Sequence, residues 1–157
     1  MSRTVCVIGA GPAGLMAAGT AARSGCRTVL LEKNAAPGRK LLLTGNGRCN
    51  VTNNCGLQTF MENVVRNGRF LYSALSAFPP QSVMDFFEGR GVPLKTEQGG
   101  RVFPVSDRAA DIRDALRAFA LESGAELRRG QAQEILAENG AVSGVGLKGG
   151  EAIRCDA

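Results

Sequence analysis

The sequence contains no histidine and no tryptophan, and only one tyrosine. Without histidine a His-based nucleophilic triad is excluded, and a zinc centre is not expected. With one tyrosine and with lysines and arginines scattered along the chain, there is no interleaved aromatic and basic platform for stacked bases. The formal net charge of +5 therefore reads as a solvated basic surface with a few phosphate contacts, and no nucleic-acid partner is expected. The five cysteines, at positions 6, 26, 49, 55 and 155, make no C-x-x-C pair, so free thiols are the default. The sequence shows neither a signal peptide nor an apolar run long enough for a bilayer, which predicts a cytoplasmic protein without a membrane partner. No metal site is expected, and no side chain stands out as catalytic. Chemistry has to come from a bound cofactor.

Glycine, by contrast, is abundant at 21 of 157 residues, as suits a backbone that wraps a ligand. The composition, 44% hydrophobic and 21% charged, is that of an ordinary globular domain.

The organising stretch is TVCVIGAGPAGLMAAGTAARSGCRTVLLE, Thr4 to Glu32. Val5 to Ile8 is an unbroken apolar run, the pattern of a parallel strand covered on both faces. Gly9, Gly11 and Gly14 then form G-x-G-x-x-G: one glycine for the tight turn, one for close approach of backbone to a pyrophosphate, one for helix–strand packing. Pro12 suits the first helical turn, whose free N–H groups and dipole favour phosphate. Ala17, Ala18 and Ala21 keep the helix close to the sheet, and Gly25 is placed to end it. The next strand, Thr28 to Leu31, leads to Glu32, about 20 residues beyond the glycines, where a carboxylate can accept both hydroxyls of an unphosphorylated adenosine ribose. The whole constellation is a dinucleotide-binding βαβ unit. It does not by itself separate FAD from NAD.

From Lys33 to Asn54 no helical or strand period is visible, and the glycines, asparagines and cations suggest a structured ligand loop. Pro37-Gly38 marks a turn, Arg39 and Lys40 can reach phosphate, and Gly45 and Gly47 permit close approach or positive φ.

The string GRKLLLTGNGRCNVTN, with the opening GAGPAG and the later GGRVFPVSDRAADI, resembles a bacterial flavoprotein family described as aminoacetone-oxidase-like or NAD(P)/FAD-dependent oxidoreductases. That family includes a bile-acid 3-dehydro-Δ4,6-reductase. The resemblance covers essentially the whole chain and implies an α/β, Rossmann-like FAD-binding domain of the two-dinucleotide-binding-domain type, with a parallel sheet and a β-meander. It implies FAD as cofactor, NAD(P)H as a candidate co-substrate and a small organic molecule as substrate. It puts Gly9, Gly11, Ala13 and Gly14 at the pyrophosphate and Glu32 at the adenosine ribose, with Pro12 and Lys33 also among the cofactor-binding residues. Arg39, Lys40 and Gly45 would line the path to the flavin, with Asn46, Arg48, Cys49 and Asn50 nearby, and the backbone of Ala132 would meet adenine.

The rest of the chain reads as an insertion over about 55–104 followed by a return to the main domain. Phe70 to Phe78 and Ser82 to Gly91 are short amphipathic helices around Pro79-Pro80, with Phe86 and Phe87 as core, and Val92 to Pro104 is a hairpin through Gln98-Gly99-Gly100. This region is equally a structural insertion or part of a substrate-side surface. Ser106 is positioned to cap a helix from Asp107 to Ser123; Arg108, Arg113 and Arg117 lie on its solvated face. Glu126 to Arg129 is a third parallel strand, and Ala132–Ala137, Ala141–Leu147 and Ala152–Cys155 form the meander. The resemblance further implies an apparently truncated chain, the N-terminal part of the domain over 1–157. The rest of that domain, the cap domains and a strand beside Val5 to Ile8 are then expected to be absent, which would leave an open edge.

The expected function is an FAD-dependent oxidoreductase that passes hydride between NAD(P)H and a small substrate. The alternatives are a non-catalytic adenine-dinucleotide-binding fragment, a flavin disulfide reductase using Cys49 and Cys55, and a tRNA-modifying flavoprotein. Oligomeric state has no signature in the sequence.

Overall fold

A computed structural model describes residues 2–157. In chain order its elements are β1 (Thr4–Ile8), α1 (Pro12–Arg23), β2 (Arg27–Glu32), β3 (Thr52–Asn53), α2 (Leu57–Glu62), α3 (Gly68–Ala77) and α4 (Pro80–Glu88). They continue with β4 (Leu94–Thr96), β5 (Arg101–Pro104), α5 (Ala109–Glu122), β6 (Glu126–Arg129), β7 (Ala132–Glu138), β8 (Ala141–Leu147) and β9 (Ala152–Arg154). The chain forms two compact units, one of Met1–Leu41 with Leu116–Ala157 and one of Leu42–Ala115. None of the helices among the described residues is long and apolar enough to cross a membrane.

The first unit holds a parallel sheet in the order β1-β2-β6 and an antiparallel meander, β7-β8-β9. Parallel pairing needs a crossover, and α1 supplies it between β1 and β2. The apolar run of β2 is the covered one, with Thr28 to Leu31 all buried. β1 departs from the expectation of a strand covered on both faces: only Cys6 is buried and Ile8 is 51% exposed. Its place at the sheet edge is the reason. That edge is nonetheless occupied along its first half, correcting the expectation of a fully open one. Asp156 N–H donates to the Thr4 carbonyl and Cys6 N–H to the Ala157 carbonyl, each at 2.8 Å, and Thr4 N–H donates to the Asp156 carboxylate at 2.7 Å.

Cys6, Val29 and Leu31 of the parallel sheet pack with Val145, Leu147, Ile153 and Cys155, so the meander shares one core with the sheet. The helix α1 lies against β1 and β2 with Leu15 and Ala18 fully buried. Gly19 lets α1 approach Phe119 of α5: a Cβ there would stand 2.4 Å from the buried ring's Cε1. Gly19→Ala is therefore expected to lower stability. The steric cost of overpacking, about 1–3 kcal/mol or more, exceeds the roughly 1 kcal/mol that alanine returns as a better helix former. Urea denaturation that showed an unchanged or raised midpoint would contradict this packing.

The second unit carries a small antiparallel sheet, β3-β5-β4, with α4 against β3 and β4. Phe87, Val102 and Phe103 are buried, whereas Phe86 is only half-buried and sits edge-on to Phe87 with Arg90 over its ring. The hairpin turn falls at Gln98–Gly100, where Gly99 and Gly100 both have positive φ. Within the insertion α2 adds a short helix that the sequence reading did not place, and the loop expected over Lys33 to Asn54 contains short helical turns in Leu41–Gly47, broken by non-helical backbone at Thr44, Gly45 and Asn46. The helix expected from Asp107 begins at Ala109 instead, because Asp107 adopts φ 55°, which a helix cannot include. Ser106 remains at the helix start and accepts from Arg108 N–H at 3.3 Å.

Candidate nucleotide-binding site

The site forms where β1 turns into α1. Gly9, at φ +96°, makes a turn that L side chains disfavour, and its N–H donates to the Leu31 carbonyl at 2.7 Å, tying the turn to β2. Gly11 is the residue before the helix and Pro12 is its first residue, so the free N–H groups of the first turn open toward the cleft without a side-chain cap. Gly14 faces back onto the turn: a Cβ on it would lie 1.8 Å from the Gly9 oxygen. A Cβ on Gly11 would meet no protein atom within 4 Å, so the space above it is open to a ligand.

These residues line one end of a cleft of about 620 Å³, with Ala13 beside them. Glu32 and Lys33 at the end of β2, Lys40, and Ala132 at the start of β7 line the remainder. Gly130 N–H donates to the Glu32 carbonyl at 2.9 Å, which brings the β6–β7 connection alongside the end of β2. The segment after β2 folds back on the glycine turn through a 2.8 Å bond from Gly38 N–H to the Ala10 carbonyl. Gly38 takes positive φ there, as its pairing with Pro37 leads one to expect. Sequence reasoning missed Asn34, Gly130 and Gln131, which also line the cleft. An amide two residues past the strand-end acid was the available signal for Asn34.

Glu32 is the centre of the site's electrostatics. Its Oε2 accepts from Ala10 N–H at 2.9 Å and its Oε1 accepts from Asn34 N–H at 2.9 Å and Asn34 Nδ2 at 2.6 Å. Burial pushes this carboxyl up, but N–H donation from Asn34, Ala10 and Lys33 outweighs it and holds the group below the usual carboxylate value. The anion is thus the resting form at neutral pH. Arg39 stands outside the cleft lining, with Nη1 donating to Asn34 Oδ1 at 3.2 Å.

Gly45 and Asn46 belong to the other unit, where both take left-handed backbone, φ 54° and 56°. A Cβ on Gly45 would come 2.9 Å from Asn50 N and 3.1 Å from the Phe103 ring, so that loop is tightly folded on β5. Beside it Arg48 is fully engaged. Its guanidinium lies 4.1 Å over Phe103 and its Nη1 pairs with Glu97 at 2.8 Å and Asp107 at 3.4 Å. Lys95 binds the other Asp107 oxygen at 2.6 Å, which, with Arg48, holds that carboxyl below its usual value against a smaller desolvation effect. Arg48→Gln leaves two carboxylates facing one cation, and the backbone amides of Gly45–Asn50 and Leu94–Pro104 are expected to exchange faster. The effect should be greater at neutral pH than near pH 4, roughly the ordinary carboxylate pKa, where the carboxylates begin to discharge. Exchange unchanged at neutral pH would contradict the strut. Cys49 is buried and burial pushes its thiol up, while Cys55 is half-buried and free. A redox nucleophile needs the opposite shift.

The family described as HI0933-like protein Rossmann domain matches residues 3–157. A 3-dehydro-bile acid delta(4,6)-reductase of Clostridium scindens is 36% identical over 115 residues, spanning 70% of this chain and 27% of that protein. A ribosomal RNA dihydrouridine synthase of Escherichia coli is 34% identical over 113 residues, again 70% of this chain and 27% of the relative. The chain thus spans about a quarter of the length of these curated relatives. Among solved structures, the 3-ketosteroid-delta4-(5alpha)-dehydrogenase of Rhodococcus jostii superposes with a TM-score of 0.76 at 18% identity, over 99% of this chain and 44% of that one. At that identity the likeness is one of fold.

Proposed function

Since the chain belongs to the HI0933-like Rossmann-domain family, whose fold is that of FAD-dependent oxidoreductases, we propose that its cleft holds the ADP half of FAD. The observation that carries this reading is the convergence, on one cleft, of an uncapped helix N-terminus for a pyrophosphate and an ionised, donor-clamped Glu32 for a ribose hydroxyl. The residues present fit the group: the open space over Gly11 admits a phosphate, and the cations of Lys33 and Lys40 line the same cleft. Ala132 offers backbone groups at the adenine end.

When bound, FAD would supply the two-electron chemistry. The names of the two curated relatives, a delta(4,6)-reductase and a dihydrouridine synthase, both describe addition of hydrogen across a carbon–carbon double bond. We infer the same reaction class for the whole protein, with NAD(P)H as reductant and a small unsaturated carbonyl compound as substrate. A ribosomal uridine is the second reading. Two rRNA dihydrouridine synthases among the relatives and the net charge of +5 favour it over other macromolecular substrates. The test is anaerobic incubation of the flavin-loaded full chain with NADPH or NADH and either 3-oxo-Δ4,6 bile acids or unmodified rRNA. Steroid with one carbon–carbon double bond fewer supports the first substrate class and dihydrouridine in digested RNA supports the second. Failure of both NADPH and NADH to bleach the flavin would overturn the proposed electron donor.

A further inference from the structure

Asn34 carries no role in the ribose reading, yet it occupies the acid that reading depends on. A carboxylate offers about four lone-pair positions, two on each oxygen. Asn34 fills both on Oε1 with its N–H and its Nδ2, Ala10 N–H fills one on Oε2, and Lys33 N–H also faces the carboxylate, so at most one position is left. Arg39 fixes the orientation of the Asn34 amide, because a guanidinium only donates and a carboxylate only accepts, so Oδ1 must face Arg39 and Nδ2 must face Glu32. The simple expectation that Glu32 accepts both ribose hydroxyls does not survive this accounting.

Resting on the assignment of the cleft to the ADP half of FAD, we propose that Asn34, braced by Arg39, is a specificity-determining positioning residue that makes Glu32 an acceptor for a single ribose hydroxyl, through Oε2. The other hydroxyl then finds no carboxylate oxygen. The cleft distinguishes the 2′ and 3′ positions of the adenosine ribose instead of gripping both alike. The same donors keep Glu32 ionised, so Asn34 also extends nucleotide binding to lower pH.

The experiment is competition of ADP, 2′-deoxy-ADP and 3′-deoxy-ADP for FAD rebinding to the full chain stripped of flavin. One deoxy analogue is expected to bind roughly 10- to 150-fold more weakly than ADP, the range for a lost hydrogen bond to a charged group, and the other to match ADP within about 2-fold. Equal losses for both analogues would overturn the proposal and leave the nucleotide site intact. Failure of ADP to compete at any concentration would overturn the site assignment and the proposal with it. In Asn34→Ala the backbone N–H still donates to Oε1 but the Nδ2 bond is gone, so one position on Oε1 opens; both analogues should now lose affinity and the acid limb of the ADP-binding pH profile should move to higher pH. An Asn34→Ala protein that folds and keeps the wild-type analogue ratio and pH profile would also contradict the proposal. The comparison of analogues on the unmodified protein decides the matter even where the variant fails to fold.

Discussion

Gly14→Ala is expected to abolish nucleotide binding and to destabilise the first unit, whereas Gly11→Ala is expected to weaken binding alone. The methyl group added at Gly14 would stand 1.8 Å from the Gly9 oxygen. Gly9 cannot retreat, because its N–H is bonded to Leu31 and β1 is locked to β2 over five consecutive pairs, Thr4↔Arg27 to Ile8↔Leu31. The helix would have to lift off the sheet, exposing Leu15 and Ala18, at a cost above the usual 1–3 kcal/mol or so of overpacking. At Gly11 the same methyl group meets no protein atom within 4 Å, so the fold should tolerate it. What it fills is the space that a pyrophosphate must enter. A loss of more than about 10-fold in ADP affinity with an unchanged urea midpoint is the expected result for Gly11→Ala, one charge-assisted hydrogen bond being worth about 1.5–3 kcal/mol. Retained affinity there would place the phosphate elsewhere.

Glu32→Gln should weaken ADP binding by roughly 10- to 150-fold, again the range for hydrogen bonds to a charged group. The amide keeps the shape of the carboxylate but turns one acceptor oxygen into a donor. It then faces either Ala10 N–H or the Asn34 donors with an N–H of its own, leaving buried groups unpaired. The acid dependence follows from the depressed carboxyl of Glu32. A group whose folded pKa lies below its unfolded value contributes stability that is present above the unfolded value, about 4.3 for glutamate, and that is lost as pH falls through the folded one. The stability gap between wild type and Glu32→Gln should therefore be widest near neutral pH and close as pH drops below about 4. A gap that is independent of pH would show that the loss came from shape and not from charge.

The opening βαβ unit is legible in the sequence because each of its parts has a separate local cause: a glycine turn, a proline start, a glycine past the helix end, a strand-end acid. The meander is legible for a similar reason. Asn139-Gly140 and Gly149-Gly150 all adopt the positive φ that their composition announces. What the sequence hides depends on pairing across the chain. The partial exposure of β1 follows from its edge position, which the apolar run cannot report. Asp107 reads as the start of a helix but is drawn into left-handed backbone beside Lys95 and Arg48, 12 and 59 residues away in sequence. α2 has only six residues, none of them buried, too short and too weakly patterned to show a helical period. Arg48 reads as a loop cation near a ligand, yet its partners are two carboxylates and a ring from its own unit. Asn34 is hidden for another reason: its role lies in the donors already on Glu32, a count that only the folded backbone supplies.

The claim on which the account rests is that the cleft beside Gly11 and Glu32 holds the ADP half of FAD. Its most direct test is a titration of the flavin-free full chain with FAD, followed by displacement with ADP, in wild type, Gly11→Ala and Glu32→Gln. The account predicts FAD binding that ADP competes away and that both substitutions weaken while the fold is retained. A folded protein that binds FAD equally well with Gly11 and Glu32 replaced, or whose FAD is indifferent to ADP, would contradict it.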